Sequence, residues 1–225
     1  MLRKTWIYII SALVVVAAII VTVFLVVHKK SSSPVLEPTA SASNTPSSTP
    51  DATASPVRTD VVLPIKDFYA RITKKPFGIY ITPQTSPVQP ERFTGYHTGT
   101  DIEYTDTSGD VQVYAIAGGV VLQSQTASGY GGVMVFRFTV DNKPVVALYG
   151  HLRATSMLPA GSKVTVGEQV AVLGTGFSTE TDGERRHLHF SIRADNTVSL
   201  LGYVQNKADL SGWIDPAEFL HSLSL

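Results

Sequence analysis

The chain contains no cysteine among its 225 residues. Disulfides, thiolate metal sites and cysteine nucleophiles are therefore excluded, and any metal has to be held by histidine, aspartate or glutamate. The first 30 residues carry four basic side chains and no acidic one, although the net charge of the whole chain is zero. The remainder carries 14 basic and 18 acidic side chains. Such a surface lacks the basic footprint that nucleic acid requires, so we expect no nucleic-acid partner.

Charged residues are also missing from residues 6–27, an apolar run of 22 residues. As a helix this run spans about 33 Å, enough to cross a hydrocarbon core of about 30 Å. We predict that residues 1–30 form a transmembrane anchor with basic flanks. A cleaved signal peptide is the alternative, because Arg3 and Lys4 resemble its charged start. However, the apolar run is longer than the usual apolar region of about 7–15 residues.

The next segment has no aromatic residue, and 18 of the 29 positions in residues 31–59 are Ser, Thr or Pro. A segment of this composition cannot bury enough apolar surface to offset the loss of chain entropy on folding. We therefore predict a disordered linker over residues 31–60. As a flexible coil it would span roughly 30 Å, and it would tether the following domain at a distance from the membrane.

Residues 61–225 have the composition of one globular domain, which we predict to be mainly β with antiparallel sheets. Turn residues favour tight hairpins at Gly118-Gly119 and at Gly167-Glu168. One short helix is expected near the end, where Asp215 can cap the helix and Pro216 occupies its first position. The predicted strands are 78–82, 111–117, 120–124, 133–140, 144–149, 163–166, 169–173 and 187–193.

The last of these strands carries two histidines on one face. In residues 186–193, His187 and His189 alternate with apolar residues, which is the period of a half-buried strand. Same-face neighbours lie about 6–7 Å apart, so one imidazole can bind a metal while the other reaches a group bound to that metal. The alternative is a pair of surface histidines without a ligand.

Two other segments carry polar groups that could join this pair. His97 and Asp101 are four residues apart, and Gly99 between them favours a loop running into a strand rather than a helix. Asp101 could there share a cation with His97 or merely hydrogen-bond to it. His151 follows an apolar strand, at a position typical of catalytic groups and equally of ordinary core or surface histidines.

Seven segments in this order resemble the lysostaphin-type, LytM-like zinc metalloendopeptidases, which cut peptidoglycan peptides. They are the His-x-x-x-Asp element at 97–101, a strand and hairpin at 113–121, a Gly-Tyr-Gly turn at 129–131, a histidine-bearing strand at 148–152, a hairpin at 160–170, the His-x-His strand at 187–190 and a Trp-Ile-Asp-Pro ending at 213–216. The resemblance implies a single LytM-like domain of the duplicated hybrid motif type, with a substrate groove between antiparallel sheets.

The resemblance also implies roles for five residues. His97, Asp101 and His189 are expected to bind Zn²⁺, which leaves a fourth position open for a water of lowered pKa. His187 is expected to be the general base and later the acid, and His151 to polarise the carbonyl or stabilise the oxyanion. The expected protein is a single-pass enzyme of the cell membrane that cleaves peptidoglycan peptides, with its C-terminal domain extracytoplasmic.

Two features depart from the resemblance. Residues 177–186 are longer and more charged than expected, and Ser191 occupies a position where an acidic residue is frequent. We interpret Arg185 and Arg186 as part of a solvated loop, the alternative being selection of acidic substrate groups. Other possible functions are a catalytically inactive LytM-like module that binds the wall or activates another hydrolase, and a protease of non-wall peptides.

Overall fold

The computed structural model describes residues 60–223. The predicted anchor, and the predicted linker up to residue 59, lie outside these residues. Within residues 60–223, no helix has both the length and the apolar character needed to cross a bilayer. One α-helix is present in this range, α1 (Pro216–Ser222). The strands are β1 (Tyr80–Ile81), β2 (Gly95–His97), β3 (Gly99–Glu103), β4 (Gln112–Tyr114), β5 (Gly119–Ala127), β6 (Gly131–Val140), β7 (Lys143–Leu152), β8 (Lys163–Val164), β9 (Gln169–Val172), β10 (His187–Arg193), β11 (Tyr203–Val204) and β12 (Trp213–Ile214).

The strands form three antiparallel sheets, which confirms the prediction of a mainly β domain with antiparallel sheets. The largest sheet has the order β12-β10-β7-β6-β5-β8, and β3 pairs with β10 beside β12. The smaller sheets have the orders β1-β2-β11 and β4-β9. As a result β2 and β3, which follow each other in the chain, belong to different sheets. The chain therefore changes sheets between His97 and Asp101.

The register of β3 against β10 brings together the polar residues of both strands. Asp101 lies opposite His189, and Glu103 lies opposite His187. Because side chains alternate along a strand, these four residues share one face of the sheet. On the other side of β10, His189 lies opposite Gly150 of β7. A Cβ atom at Gly150 would lie 2.5 Å from the ring of Tyr130, so a larger residue does not fit there.

The opposite face of β10 belongs to the hydrophobic core. Leu188, Phe190 and Ile192 are each 0% exposed. The ring of Phe190 packs edge-on against Tyr149 of β7, with ring centroids 5.0 Å apart. Burying an apolar side chain of this size stabilises a fold by about 1.5–3 kcal/mol. The core therefore fixes β10 in place, and the polar face of the strand is held rigidly.

The prediction for β10 has the observed bounds, whereas the two predicted hairpins are wrong. The strands that flank Gly118-Gly119 are β4 and β5, which lie in different sheets, and the same holds for β8 and β9 around Gly167-Glu168. The second site is a tight turn all the same, with the amide of Glu168 donating to the carbonyl of Thr165 over 3.2 Å. The turn residues therefore predicted where the chain bends. They did not predict which strands pair, because the pairing depends on distant segments.

The predicted C-terminal helix is confirmed. The carboxylate of Asp215 accepts hydrogen bonds from the amides of Ala217 and Glu218, at 2.8 and 3.4 Å. Pro216 occupies the first position of α1, where its missing N–H leaves no partner unsatisfied. The helix packs against the large sheet, with Leu220 fully buried in the core.

Candidate metal centre

Three residues from three strands converge on one point. His97 ends β2, Asp101 lies in the middle of β3, and His189 lies in β10. Nε2 of His97 lies 3.0 Å from Nδ1 of His189, and Oδ1 of Asp101 lies 3.3 Å from the former atom and 3.2 Å from the latter. All three residues are buried, with exposed fractions of at most 4%. The structure thus brings together the three residues that were expected to bind a metal.

A count of protons shows why these atoms suit a cation. The other ring nitrogen of His97, Nδ1, lies 3.2 Å from the carbonyl oxygen of Pro76, which can only accept, so Nδ1 carries the proton of the neutral ring. Nε2 of His97 and Oδ1 of Asp101 therefore both present lone pairs to Nδ1 of His189. One proton cannot satisfy three atoms at these distances. Two imidazole nitrogens and one carboxylate oxygen are, in contrast, a donor set typical of catalytic zinc sites.

The two remaining histidines of the site are oriented by main-chain carbonyl groups. Nδ1 of His187 donates to the carbonyl oxygen of Arg185 over 2.8 Å, and Nδ1 of His151 donates to that of Thr181 over 3.2 Å. In the neutral rings Nε2 is therefore the unprotonated nitrogen, which is the form a general base needs. Nε2 of His187 lies 3.4 Å from Oδ2 of Asp101. The ring centroids of His151 and His187 are 4.2 Å apart.

Burial keeps these histidines neutral. It lowers the pKa of His151 to about 3, and it also lowers the pKa values of His187 and His189. For Asp101, burial opposes ionisation, but His187, His97 and the hydrogen bond from His189 outweigh it and hold the pKa of Asp101 well below its usual value. Near neutral pH the rings of His151, His187 and His189 are therefore neutral and Asp101 is ionised, and neutral imidazole and carboxylate are the forms that bind metals.

His151 has an unusual backbone conformation. Its φ angle is +63°, in the left-handed region that residues other than glycine rarely adopt. The residue lies near the end of β7, and the amide of Gly174 donates to its carbonyl oxygen over 2.9 Å. Such strain costs about 1–3 kcal/mol and is often found at functional sites, where the surrounding structure enforces it. The strand and its neighbours thus hold the imidazole of His151 toward His187.

Four of the five site residues line the predicted groove, a cleft bordered by Asp101, His151, His187 and His189 together with Tyr130. Every one of these side chains is at most 5% exposed. Phe93 also lines this cleft, and it ends the segment of residues 86–93, which we call the strap.

The strap contacts two residues that line the cleft, Lys75 and Glu184. Nζ of the buried Lys75 contacts Oε2 of Glu91 at 2.5 Å. Arg92 donates to Oε1 of Glu184 over 3.2 Å and also to Oδ2 of Asp182 over 2.7 Å. Phe93 stacks on Tyr203, with ring centroids 5.4 Å apart, and both rings line the cleft.

A third group of residues was missed by the sequence analysis. Arg185 is 4% exposed, so its interpretation as part of a solvated loop is wrong. Its guanidinium donates to Oδ2 of Asp101 over 2.8 Å and to both carboxylate oxygens of Glu103 over 2.5–3.0 Å. Burial acts to lower the pKa of Arg185, but Asp101 and Glu103 more than compensate and raise it. The signal was present in the sequence, because Arg185 is two residues before His187 and Glu103 two residues after Asp101.

Comparisons with known proteins find one matching family model and several similar solved structures. Residues 95–200 match the model of Peptidase family M23, and this segment contains all five site residues. Among solved structures, LytU is 25% identical, with 68% of this chain and 85% of that chain covered and a TM-score of 0.47. Lysostaphin from Staphylococcus simulans is 22% identical, with 71% and 53% covered and a TM-score of 0.44.

A chain of the SpoIIIAH and SpoIIQ complex is 19% identical, with 71% of this chain and 99% of that chain covered and a TM-score of 0.46. No curated protein sequence matches the chain. The family match covers six of the seven segments that resemble the lysostaphin-type enzymes, all except the ending at 213–216, and the mainly antiparallel fold agrees with it. Residues 95–200 of the chain, which contain all five site residues, are thus similar to Peptidase family M23.

Proposed function

We propose that the chain is a membrane-anchored zinc metalloendopeptidase that hydrolyses peptide bonds of peptidoglycan in cell-wall remodelling. The observation that carries the proposal is the convergence of the donor atoms of His97, Asp101 and His189 beside two histidines of fixed tautomer, inside a domain of a peptidase family. When bound, a zinc ion in such a site acidifies water and polarises a carbonyl group.

In this mechanism His187 takes the proton from the attacking water. Its Nδ1 is held by the carbonyl oxygen of Arg185, so Nε2 is free to accept the proton. The carboxylate of Asp101, 3.4 Å from Nε2, stabilises the imidazolium that forms. His187 then returns the proton to the leaving amine. General acid and base catalysis of this kind contributes about 10²–10⁴-fold to the rate.

His151 faces the same reaction with a different task. Its Nδ1–H is engaged by the carbonyl oxygen of Thr181, so the neutral ring offers no proton to a developing oxyanion. His151 therefore stabilises negative charge only once Nε2 carries a proton, which has to come from the solvent because His187 returns its own proton to the leaving amine. A negative charge that forms next to the ring favours this uptake, because an opposite charge nearby raises the pKa of an imidazole.

The proposed location follows from the sequence. The apolar run of residues 6–27 supports a single membrane span, and residues 31–59 have the composition of a flexible tether. Since peptidoglycan lies outside the membrane, the catalytic domain has to be extracytoplasmic for this function. The tether then lets the domain reach a layer that stands off the membrane.

Metal content and peptide release from peptidoglycan test the proposal together. We expect the purified chain to contain zinc and to release new amino termini from peptidoglycan. His187→Ala should retain zinc but lose about 10²–10⁴-fold of the activity, whereas His189→Ala should lose both. His221→Ala is the matched control, because this histidine is exposed on α1, and it should retain both.

The same assay separates the alternative function. A wild-type chain that binds zinc and peptidoglycan but releases no peptide product would favour a catalytically inactive module that binds the wall or activates another hydrolase. Release of peptides from casein with none from peptidoglycan would instead favour a protease of non-wall peptides.

A further inference from the structure

We propose that Arg185 is a positioning residue of the metal centre, with Glu103 as its buried counterion. Its guanidinium holds one carboxylate oxygen of Asp101, so that the other oxygen alone faces the two ligand histidines. The inference rests on the proposed function, because it assumes that His97, Asp101 and His189 bind zinc. It adds two residues, and a specific task for each, to that site.

The two carboxylate oxygens of Asp101 have different neighbours. Oδ1 lies 3.3 Å from Nε2 of His97 and 3.2 Å from Nδ1 of His189, whereas Oδ2 accepts a hydrogen bond of 2.8 Å from Nη2 of Arg185. A carboxylate that is held by an arginine through one oxygen presents the other oxygen in a fixed direction. Arg185 therefore sets both the rotamer of Asp101 and the number of oxygens that it offers to a metal.

Glu103 fixes the guanidinium itself. Nε of Arg185 lies 3.0 and 2.9 Å from the two oxygens of Glu103, and Nη2 lies 2.5 Å from one of them. This planar, two-oxygen contact is a geometry that arginine forms and lysine does not. Glu103 and Asp101 are neighbours on one face of β3, so a single strand carries both partners of Arg185.

Charge balance explains why Glu103 is needed. A guanidinium without sufficient compensation is strongly unfavourable at a position that is 4% exposed. Two carboxylates against one guanidinium leave one net negative charge, which faces the cation site. The main chain of Arg185 has a further role, because its carbonyl oxygen accepts the hydrogen bond from Nδ1 of His187. One residue thus connects the orientation of a metal ligand with that of the proposed base.

Zinc affinity and the visible spectrum of bound Co²⁺ test this role without reference to catalysis. The full chain is purified in non-ionic detergent, stripped of metal, and titrated with zinc in competition with a chromophoric chelator. Arg185→Lys keeps every charge but lacks the planar fork. The paired variant Arg185→Met with Glu103→Leu removes both charges at similar volume. Arg186→Met is the matched control, because this neighbouring arginine donates to the carbonyl oxygen of Thr107 instead.

We expect zinc to bind about 10–100-fold more weakly to Arg185→Lys and to the paired variant, as is typical when a partner of a metal ligand is removed. The Co²⁺ spectrum should change in both, because Asp101 is then free to offer two oxygens. The Arg186→Met control should match the wild type in both measurements, and circular dichroism should show native folding. If the paired variant does not fold, the measurements on Arg185→Lys alone test the inference. This variant leaves no carboxylate without a counterion, so we expect it to fold.

Two outcomes would contradict the inference in distinguishable ways. Folded Arg185 variants that bind zinc as tightly as the wild type, with an unchanged Co²⁺ spectrum, would refute the positioning role and leave the proposed function standing. A wild-type chain that binds no zinc would refute the proposed function, and the inference with it.

Discussion

Acid should destabilise the metal-free domain because its fold buries neutral histidines. Burial lowers the pKa of His151 to about 3 and also lowers the pKa values of His187 and His189, whereas an unfolded chain binds protons near the ordinary value of 6.5. Below pH 6.5 the unfolded state therefore binds more protons than the folded state. The free energy of unfolding then falls as the pH falls.

His151 allows the size of this effect to be estimated. Each pH unit between its two pKa values changes the free energy of unfolding by about 1.4 kcal/mol. From the ordinary pKa to pH 4.5, about two pH units, His151 alone removes about 3 kcal/mol of stability. His187 and His189 act in the same direction. Asp101 does not oppose them in this window, because its stabilising ionisation is lost only below its ordinary pKa of 3.8.

Urea denaturation in the presence of a chelator, at pH values from 7.0 to 4.5, measures this dependence. His151→Asn is the informative variant, because asparagine tolerates the positive φ angle of this position and does not titrate. Between pH 5.5 and 4.5, its slope should be shallower than that of the wild type by about 1.4 kcal/mol per pH unit. Equal slopes for both proteins would refute the reasoning.

Three further substitutions test the strap and the stability of the domain. Arg92→Ala tests the hypothesis that the strap restricts access to the cleft. Its ion pair with Asp182 is partly exposed and contributes about 0.2–1 kcal/mol, so we expect the rate of peptidoglycan hydrolysis to rise by about 1.5- to 5-fold. An unchanged or lower rate would contradict this role of the strap. Lys75→Met should cost about 3–5 kcal/mol in urea denaturation by leaving the buried Glu91 unpaired, and adding Glu91→Leu should recover most of the loss. Asp215→Ala should lower the melting temperature by removing the cap of α1, worth about 1 kcal/mol, and an unchanged melting temperature would show that the cap contributes nothing.

The sequence was most informative where a local pattern determines the structure. The alternation in residues 187–193 correctly placed His187 and His189 on one face, and the apolar residues between them in the core. The capping residues of α1 were equally readable, because a helix cap depends on four consecutive residues. In both cases the interacting groups are close in sequence.

The sequence was least informative where distant segments meet. The hairpin prediction at Gly118-Gly119 failed because β4 pairs with β9 and β5 pairs with β6. The glycines between β4 and β5 do not determine this pairing. Arg185 and Glu103 are 82 residues apart, and their contact depends on the register of β3 against β10. The alternation that was applied to His187 and His189 extends to Arg185, and applying it there would have placed Arg185 on the polar face.

The number of converging donors favours catalysis over a purely structural metal. Structural zinc sites have four protein ligands, whereas among residues 60–223 the converging group contains three, His97, Asp101 and His189. His187 and His151 lie next to this group, yet each uses Nδ1 to hold a carbonyl oxygen and keeps Nε2 unprotonated. A module that merely binds the wall has no use for two buried bases at this place, and burying them makes the fold sensitive to acid. Retaining both at that cost supports the proposed function, in which they transfer protons beside an open metal position.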